Sequence, residues 1–179
     1  MTSSYEVYVS KDSFKFNAAH FIAYPGFRER LHGHNYRVSV RVEGPVGDDG
    51  YVVDFGDIKR AARTVCEELN ERVIVPMLSD VLVIRTDGGQ VSVACEDGTT
   101  FSFPLADCVL LDIRHSSAEE LAAWLGERMR TALPILEKRG VTVLEVGVAE
   151  APNQEARFRI ELSPVSPVSP VSPASPGSR

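Results

Sequence analysis

Residues 31–42 read Leu31-His32-Gly33-His34-Asn35-Tyr36-Arg37-Val38-Ser39-Val40-Arg41-Val42. From Tyr36 onward, apolar and polar residues alternate. That period belongs to a strand with one buried face, as in an antiparallel sheet. His32 and His34 fall on the apolar parity, so both imidazoles are expected on the same face. Upstream, residues 5–21 carry a second strand signal. Val7 and Val9 alternate with polar neighbours, Phe14 and Phe16 do so again, and Ala18 and His20 continue the even-numbered face. An imidazole from a neighbouring strand, added to the pair, completes the three-nitrogen set that catalytic zinc uses, with a fourth position left open.

Outward from these strands, Pro25, Gly26 and the charged run Arg28-Glu29-Arg30 mark a loop. Gly44-Pro45 and Asp48-Asp49-Gly50 punctuate the turn after residue 43. Asp54 is placed to cap a first helix, whose apolar stripe is Ile58, Ala62, Val65 and Leu69. That helix is expected to fade near Asn70–Arg72, with Val73–Pro76 ending it. Residues 81–111 read as a β meander, with Asp87-Gly88-Gly89 and Glu96-Asp97-Gly98 as hairpin turns and Val109–Ile113 as a further extended run. Ser117-Ala118-Glu119-Glu120 is a capping box, Ser117 being the cap and Glu120 its partner. Leu121, Trp124, Leu125, Met129 and Ala132 make the stripe of a second helix, which Pro134 should kink or break and Gly140 stop. Two strands close the pattern, Val141–Ala149 and Arg157–Leu162. The expected architecture is α+β: an antiparallel sheet with two helices on one face, in one domain over residues 4–162, with an insertion at about 79–111. From Ser163 to the last residue, 179, the repeated Ser-Pro-Val has too little apolar surface to offset ordering, and a disordered tail is expected.

A net charge of -6 over 179 residues argues against nucleic acid as a partner, without excluding a local basic pocket for a small anion. There is no apolar run long enough for a bilayer and no signal peptide, so no membrane association is expected and a cytoplasmic protein is. Cys66, Cys95 and Cys108 show no C-x-x-C spacing and read as buried thiols in a reducing compartment.

Three blocks in order, Asn17-Ala18-Ala19-His20-Phe21, Leu31–Tyr36 and Val52-Val53-Asp54-Phe55-Gly56-Asp57-Ile58-Lys59, resemble the 6-pyruvoyltetrahydropterin synthase and 6-carboxytetrahydropterin synthase family. Ser117-Ala118-Glu119 before a helix with Trp124, and Val148-Ala149-Glu150, are similar to its remaining motifs. The resemblance implies a T-fold, with three subunits closing their sheets into a barrel and two trimers stacking into a homohexamer. Such closure would also cover the edges that a lone sheet leaves unpaired. It implies zinc on His20, His32 and His34, and Glu150 anchoring a pterin ring by accepting two parallel N–H bonds. It also implies Ser117 and Glu119 beside that pterin. The implied reaction is a carbon–oxygen lyase step on 7,8-dihydroneopterin triphosphate.

This sequence departs from the family at the groups that move protons. Arg28 occupies the place of the catalytic cysteine, and Asn70-Glu71 the place of an Asp-His pair. A fixed charge at Arg28 is expected to disfavour a dication nearby. Two side chains stand as replacement bases. Glu29 lies three residues before His32, and a branch of the family uses such a glutamate to cleave the side chain to 6-hydroxymethyl-dihydropterin. His115 lies just before the second helix. Arg28, Arg30 and Arg114 are available for a triphosphate. The alternatives are a pterin-binding protein without catalysis and an enzyme acting on another pterin or a deazapurine precursor. The inserted meander is read as extra sheet or a lid.

Overall fold

Alternating strands and two capped helices give the following elements in chain order: β1 (Tyr5–His20), β2 (Ala23–Tyr24), β3 (Phe27–Arg28), β4 (His32–Gly44), α1 (Phe55–Glu67), β5 (Arg72–Pro76), β6 (Leu82–Asp87), β7 (Gln90–Cys95), β8 (Thr100–Pro104), β9 (Cys108–Leu111), α2 (Ala118–Ala132), α3 (Ile135–Lys138), β10 (Val143–Ala151) and β11 (Gln154–Glu161). The computed structural model describes residues 4–163. Apart from Ser163, the Ser-Pro-Val tail lies outside the described residues.

The main sheet runs β11-β10-β4-β1-β5-β9. Its first four strands pair antiparallel, as the alternation predicts. β1 and β4 set the register: Phe16 faces Tyr36, Ala18 faces His34 and His20 faces His32. Farther up the pair, Ser10 faces Ser39 and Lys15 faces Arg37, so residues 11–14 of β1 stand opposite residue 38 alone. This irregularity inserts an odd number of residues. It explains why the buried positions of β1 change from odd (Val9) to even (Phe14, Phe16).

Of the other two strands, β5 differs from expectation, while β9 is the expected extended run and differs only in pairing parallel. Arg72–Pro76, read as the end of a helix, is β5, and the run after the meander is β9. β5 lies parallel to β1, and β9 parallel to β5. Short apolar runs have too few residues to show a period, so the sequence cannot tell strand from helix end. The reversal from α1 into β5 is made at Glu71, whose φ of 58° is left-handed. There the Glu71 N–H donates to the Asn17 carbonyl at 2.6 Å. Asn70 Oδ1 accepts from the Asn17 N–H at 3.0 Å, so this asparagine joins the end of α1 to β1.

Both helices lie on one face of the sheet. Ile58, Ala62 and Val65 of α1 and Leu121, Leu125 and Met129 of α2 are buried in one core with Phe14, Phe16, Tyr36, Val38, Val40 and Val146. Asp54 caps α1 by accepting the Gly56 N–H at 2.7 Å. Gly126 lets α2 approach β11 closely, since a Cβ there would stand 3.1 Å from the Phe158 ring. Ser117 caps α2, accepting the Glu120 N–H at 3.4 Å. The return half of the expected capping box is not made. The Glu120 carboxylate instead accepts the Arg114 and His115 N–H groups, at 2.7 and 3.2 Å, and so fixes the segment that enters α2. After Leu133 and Pro134 the chain resumes as the single turn α3.

β6, β7 and β8 form a separate three-stranded antiparallel sheet. It has a small core of its own. Leu82, Val91 and Val93 pack with Phe21, Ala23, Val75 and Cys108 of the main body. The inserted sheet therefore rests on the segment just after β1.

Candidate functional site

The β1–β4 register brings three imidazoles to one end of the main sheet. The ring centroids of His20 and His32 are 4.6 Å apart, those of His20 and His34 5.1 Å, and those of His32 and His34 4.9 Å. One nitrogen from each lies within 4.8 Å of the others. His20 is buried and His32 exposed, so the cluster spans from interior to surface.

Hydrogen bonds fix which nitrogen two of the rings offer. His20 Nδ1–H donates to the Ser116 carbonyl at 2.7 Å, and His32 Nδ1–H donates to the Arg30 carbonyl at 2.8 Å. Each bond leaves Nε2 with a lone pair, which is how outer-shell carbonyls orient metal-binding histidines. Nε2 of His20 is buried and has no hydrogen-bond partner among the described residues. Burial holds the His20 imidazole below its ordinary value, with His32 and His34 adding to that, against the Ser116 bond and Glu150. A neutral ring with an unpaired inward nitrogen is the state a metal ligand requires. The donor set therefore fits a metal ion with affinity for imidazole.

Tyr36 is a member of this site that the sequence reading passed over as a strand residue. It is fully buried, stacked on Phe16 at 4.6 Å, and meets the His20 and His34 rings edge-on at 5.8 and 5.4 Å. Its hydroxyl points to Glu150 Oε1 at 3.4 Å. Burial, together with the negative charges of Glu150 and Glu29, pushes the phenol well above the usual tyrosine range, so it stays protonated and donates. The signal was available in the parity, since Tyr36 lies two residues beyond His34. Ser116 was missed as well. It is buried, and besides receiving His20 it donates its hydroxyl to the Phe21 carbonyl at 2.9 Å.

Glu150 Oε1 stands 4.0 Å from His20 Nε2. Glu150, Ser117 and Glu119 line one cleft of about 300 Å³, together with Ile22 and Glu155. Glu150 is thus brought together with Ser117 and Glu119, some thirty residues earlier in the chain, beside His20. β10 supplies Glu150, while the capped start of α2 supplies Ser117 and Glu119.

Glu29 lies on the loop between β3 and β4. Its Oε2 accepts the Ile22 N–H at 3.0 Å, while its own N–H donates to the Ile22 carbonyl at 2.9 Å. His115 Nδ1–H donates to the Ala23 carbonyl at 3.1 Å, and Ala23 pairs with Arg28 across the β2–β3 hairpin. Both candidate bases are therefore tied to the same short segment.

The expectation that Arg28 repels a cation needs correction. Arg28 Nε donates to Asp97 Oδ2 at 2.9 Å and Nη2 to Thr99 Oγ1 at 3.1 Å, so the charge is neutralised by the inserted sheet. The same pairing commits Arg28 elsewhere than a triphosphate. Arg114 lies 3.7 Å from Asp80, and Arg30 is exposed. Among the described residues, no helix is long and apolar enough to cross a membrane.

Residues 8–161 match the family profile described as 6-pyruvoyl tetrahydropterin synthase. A Pyrococcus abyssi protein provisionally named 6-carboxy-5,6,7,8-tetrahydropterin synthase is 31% identical over 154 residues, which is 84% of this chain and 88% of that one. The crystal structure of 6-pyruvoyl tetrahydropterin synthase from Plasmodium vivax superposes with a TM-score of 0.87 at 43% identity, covering 89% of this chain and 99% of that chain. A variant of the Plasmodium vivax enzyme, in which a glutamate named as a catalytic residue is replaced by alanine, gives a TM-score of 0.87 at 42% identity over 89% of this chain and 99% of that chain.

Proposed function

The chain belongs to the 6-pyruvoyl tetrahydropterin synthase family, and from that premise we propose that it is a zinc-dependent lyase acting on 7,8-dihydroneopterin triphosphate, with Glu29 as its base. The observation that carries the reading is the placement of Glu150, 4.0 Å from the unpaired Nε2 of His20, in the cleft that Ser117 and Glu119 also line. A metal-ligand set and an acceptor for a pterin edge are thus neighbours.

Zinc on His20, His32 and His34 would polarise the side-chain hydroxyls of the substrate and lower their pKa. Glu150 accepts two N–H bonds from the 2-amino-4-oxo edge of the ring. Tyr36 donates to Glu150 and so orients that carboxylate. Ser117 and Glu119 flank the ring from the start of α2. Glu29 commits one oxygen to the Ile22 N–H and uses the other to take the carbon-bound proton. Elimination then expels triphosphate. His115, with Nδ1 held on the Ala23 carbonyl, is the second candidate for proton exchange.

One observation favours a second outcome at the same site. The Plasmodium vivax relative carries a glutamate named as catalytic, and this chain has Glu29 near the position where the family's cysteine is missing. In that outcome Glu29 would take a proton from a side-chain hydroxyl instead of from carbon, and the carbon–carbon bond beside it would break, giving 6-hydroxymethyl-dihydropterin and an aldehyde fragment that keeps the triphosphate. We further propose a homohexamer built as two stacked trimers, located in the cytoplasm.

The test is metal analysis joined to product identification. Purified protein is expected to carry roughly one zinc per chain and to release triphosphate from 7,8-dihydroneopterin triphosphate. Chromatography of the pterin product separates the two outcomes. A protein that binds pterin and zinc but leaves the substrate intact would overturn the enzymatic reading and leave a binding protein.

A further inference from the structure

The inserted sheet contributes no side chain to the histidine cluster or to the pterin cleft, yet it holds the loop that carries Glu29. We propose that the β6–β7–β8 sheet sets the position of Glu29, and that Arg28 is the positioning residue through which it acts. This rests on the reading of Glu29 as the base.

The loop needs such a support. β2 and β3 form a ribbon of two residue pairs, Ala23 with Arg28 and Tyr24 with Phe27. An isolated two-stranded hairpin is marginal in water even when longer than this. Its turn is at Gly26, where φ is +79°. Glu29 follows the ribbon directly, so any play in the ribbon moves the carboxylate.

Arg28 removes that play by using its guanidinium in three directions. Nε reaches Asp97 Oδ2 at 2.9 Å, Nη2 reaches Thr99 Oγ1 at 3.1 Å, and Nη1 donates to the carbonyl of Glu29 itself at 2.8 Å. The guanidinium is planar with fixed donor directions, so these bonds hold the Glu29 carbonyl at a set place relative to the β7–β8 turn. Asp97 is itself anchored, accepting the Thr99 N–H at 2.9 Å. A second tie runs from the Gly26 N–H to Glu96 Oε2 at 3.1 Å. Beneath the polar ties lies an apolar seat. Phe101 of β8 meets Phe21 at 5.1 Å and lies 5.7 Å below the Arg28 guanidinium. On its other flank Glu29 is bonded to Ile22 through both its N–H and its carboxylate. The connection from insertion to base is thus continuous: Asp97 and Thr99 to Arg28, and Arg28 to Glu29.

Misplacing a catalytic group by about 1 Å can lower a rate on the order of 100-fold. Losing one of several ties should have a smaller effect of the same kind. The experiment is a double-mutant cycle on the full chain with 7,8-dihydroneopterin triphosphate, joined to amide hydrogen exchange. Asp97→Ala is expected to lower kcat about tenfold with KM within about twofold and zinc content unchanged, and Asp97→Glu to recover part of the loss. Added to Glu29→Gln, Asp97→Ala is expected to have no further effect. The Ile22 and Glu29 amides should exchange faster in Asp97→Ala. Thr99→Val, which keeps the fold's shape, should show the same pattern more weakly. An unchanged kcat in Asp97→Ala, or an equal loss on top of Glu29→Gln, overturns the proposal. If Glu29→Gln turns over like wild type, the base assignment fails instead. The exchange data then decide the positional claim alone, and unchanged protection at Ile22 and Glu29 rejects it.

Discussion

The histidine cluster and the Glu29 loop lie at the same end of the molecule, but they are held in place by different means. His20, His32 and His34 sit on the two longest strands, and their mutual placement follows from a backbone ladder. Carbonyls of Ser116 and Arg30 then orient two of the rings. Glu29 has no ladder of comparable length. Its place depends on a two-pair ribbon, on Arg28, and on side chains of a sheet inserted some seventy residues later in the chain. Strand register places groups rigidly but offers few positions. A loop braced by an inserted element can be repositioned without disturbing the core. The difference matches what the family resemblance implies, namely a metal motif kept at His20, His32 and His34 and changed residues at Arg28, Asn70 and Glu71.

Several substitutions test whether the two regions are as separate as this implies. The largest effect is expected for His34→Ala. It should reduce bound zinc from roughly one per chain to near none, as read by metal analysis. It should leave the exchange protection of Ile22 and Glu29 intact, and joint loss of both would refute the separation. Glu29→Gln is the complementary change. Turnover should fall by about 10²–10⁴ while zinc stays bound, since only the proton acceptor is lost. Glu150→Ala should weaken pterin binding by roughly 30-fold, the effect of losing about 2 kcal/mol of charge-assisted hydrogen bonding. Equal affinity in titration calorimetry would reject the anchor. Tyr36→Phe keeps the packing against Phe16 and removes the hydroxyl from Glu150, so a loss of about 1 kcal/mol, or about fivefold in pterin affinity, is expected.

The smallest effect expected is on the pH dependence of the metal-free protein. His20 is held neutral by burial, with its value lowered from 6.5. The unfolded chain therefore takes up the proton first. This contribution to stability is complete above the unfolded value and is lost as pH falls below 6.5 toward the folded one. Urea midpoints measured on either side of that value should decline on the acid side, and His20→Gln should flatten the decline.

Much of this arrangement was legible in the residues. The alternation in β4 and the second half of β1 placed three imidazoles on one face, because strand side chains repeat every two residues. The caps at Asp54 and Ser117 marked both helix starts, and the Gly-rich turns marked the inserted hairpins. Tyr36 was legible by the same parity yet overlooked, because an aromatic residue in a strand is ordinarily core. β5 was not legible as a strand, and β9, though legible as an extended run, gave no sign of its parallel pairing, since short apolar runs without alternation do not reveal their partners. The partner of Glu120 was misread because a capping box names a local bond, and two N–H groups of the preceding loop won that carboxylate.

Which side chains share a face and where helices begin can be read along the chain, because those depend on local period and local hydrogen bonds. That Glu150, Ser117 and Glu119 line one cleft beside His20, and that Arg28 turns to Asp97 with its charge neutralised, emerges from the folded chain alone. Those facts depend on contacts between segments far apart in the chain. Such pairings are selected by the packing of whole elements, and no local pattern encodes them.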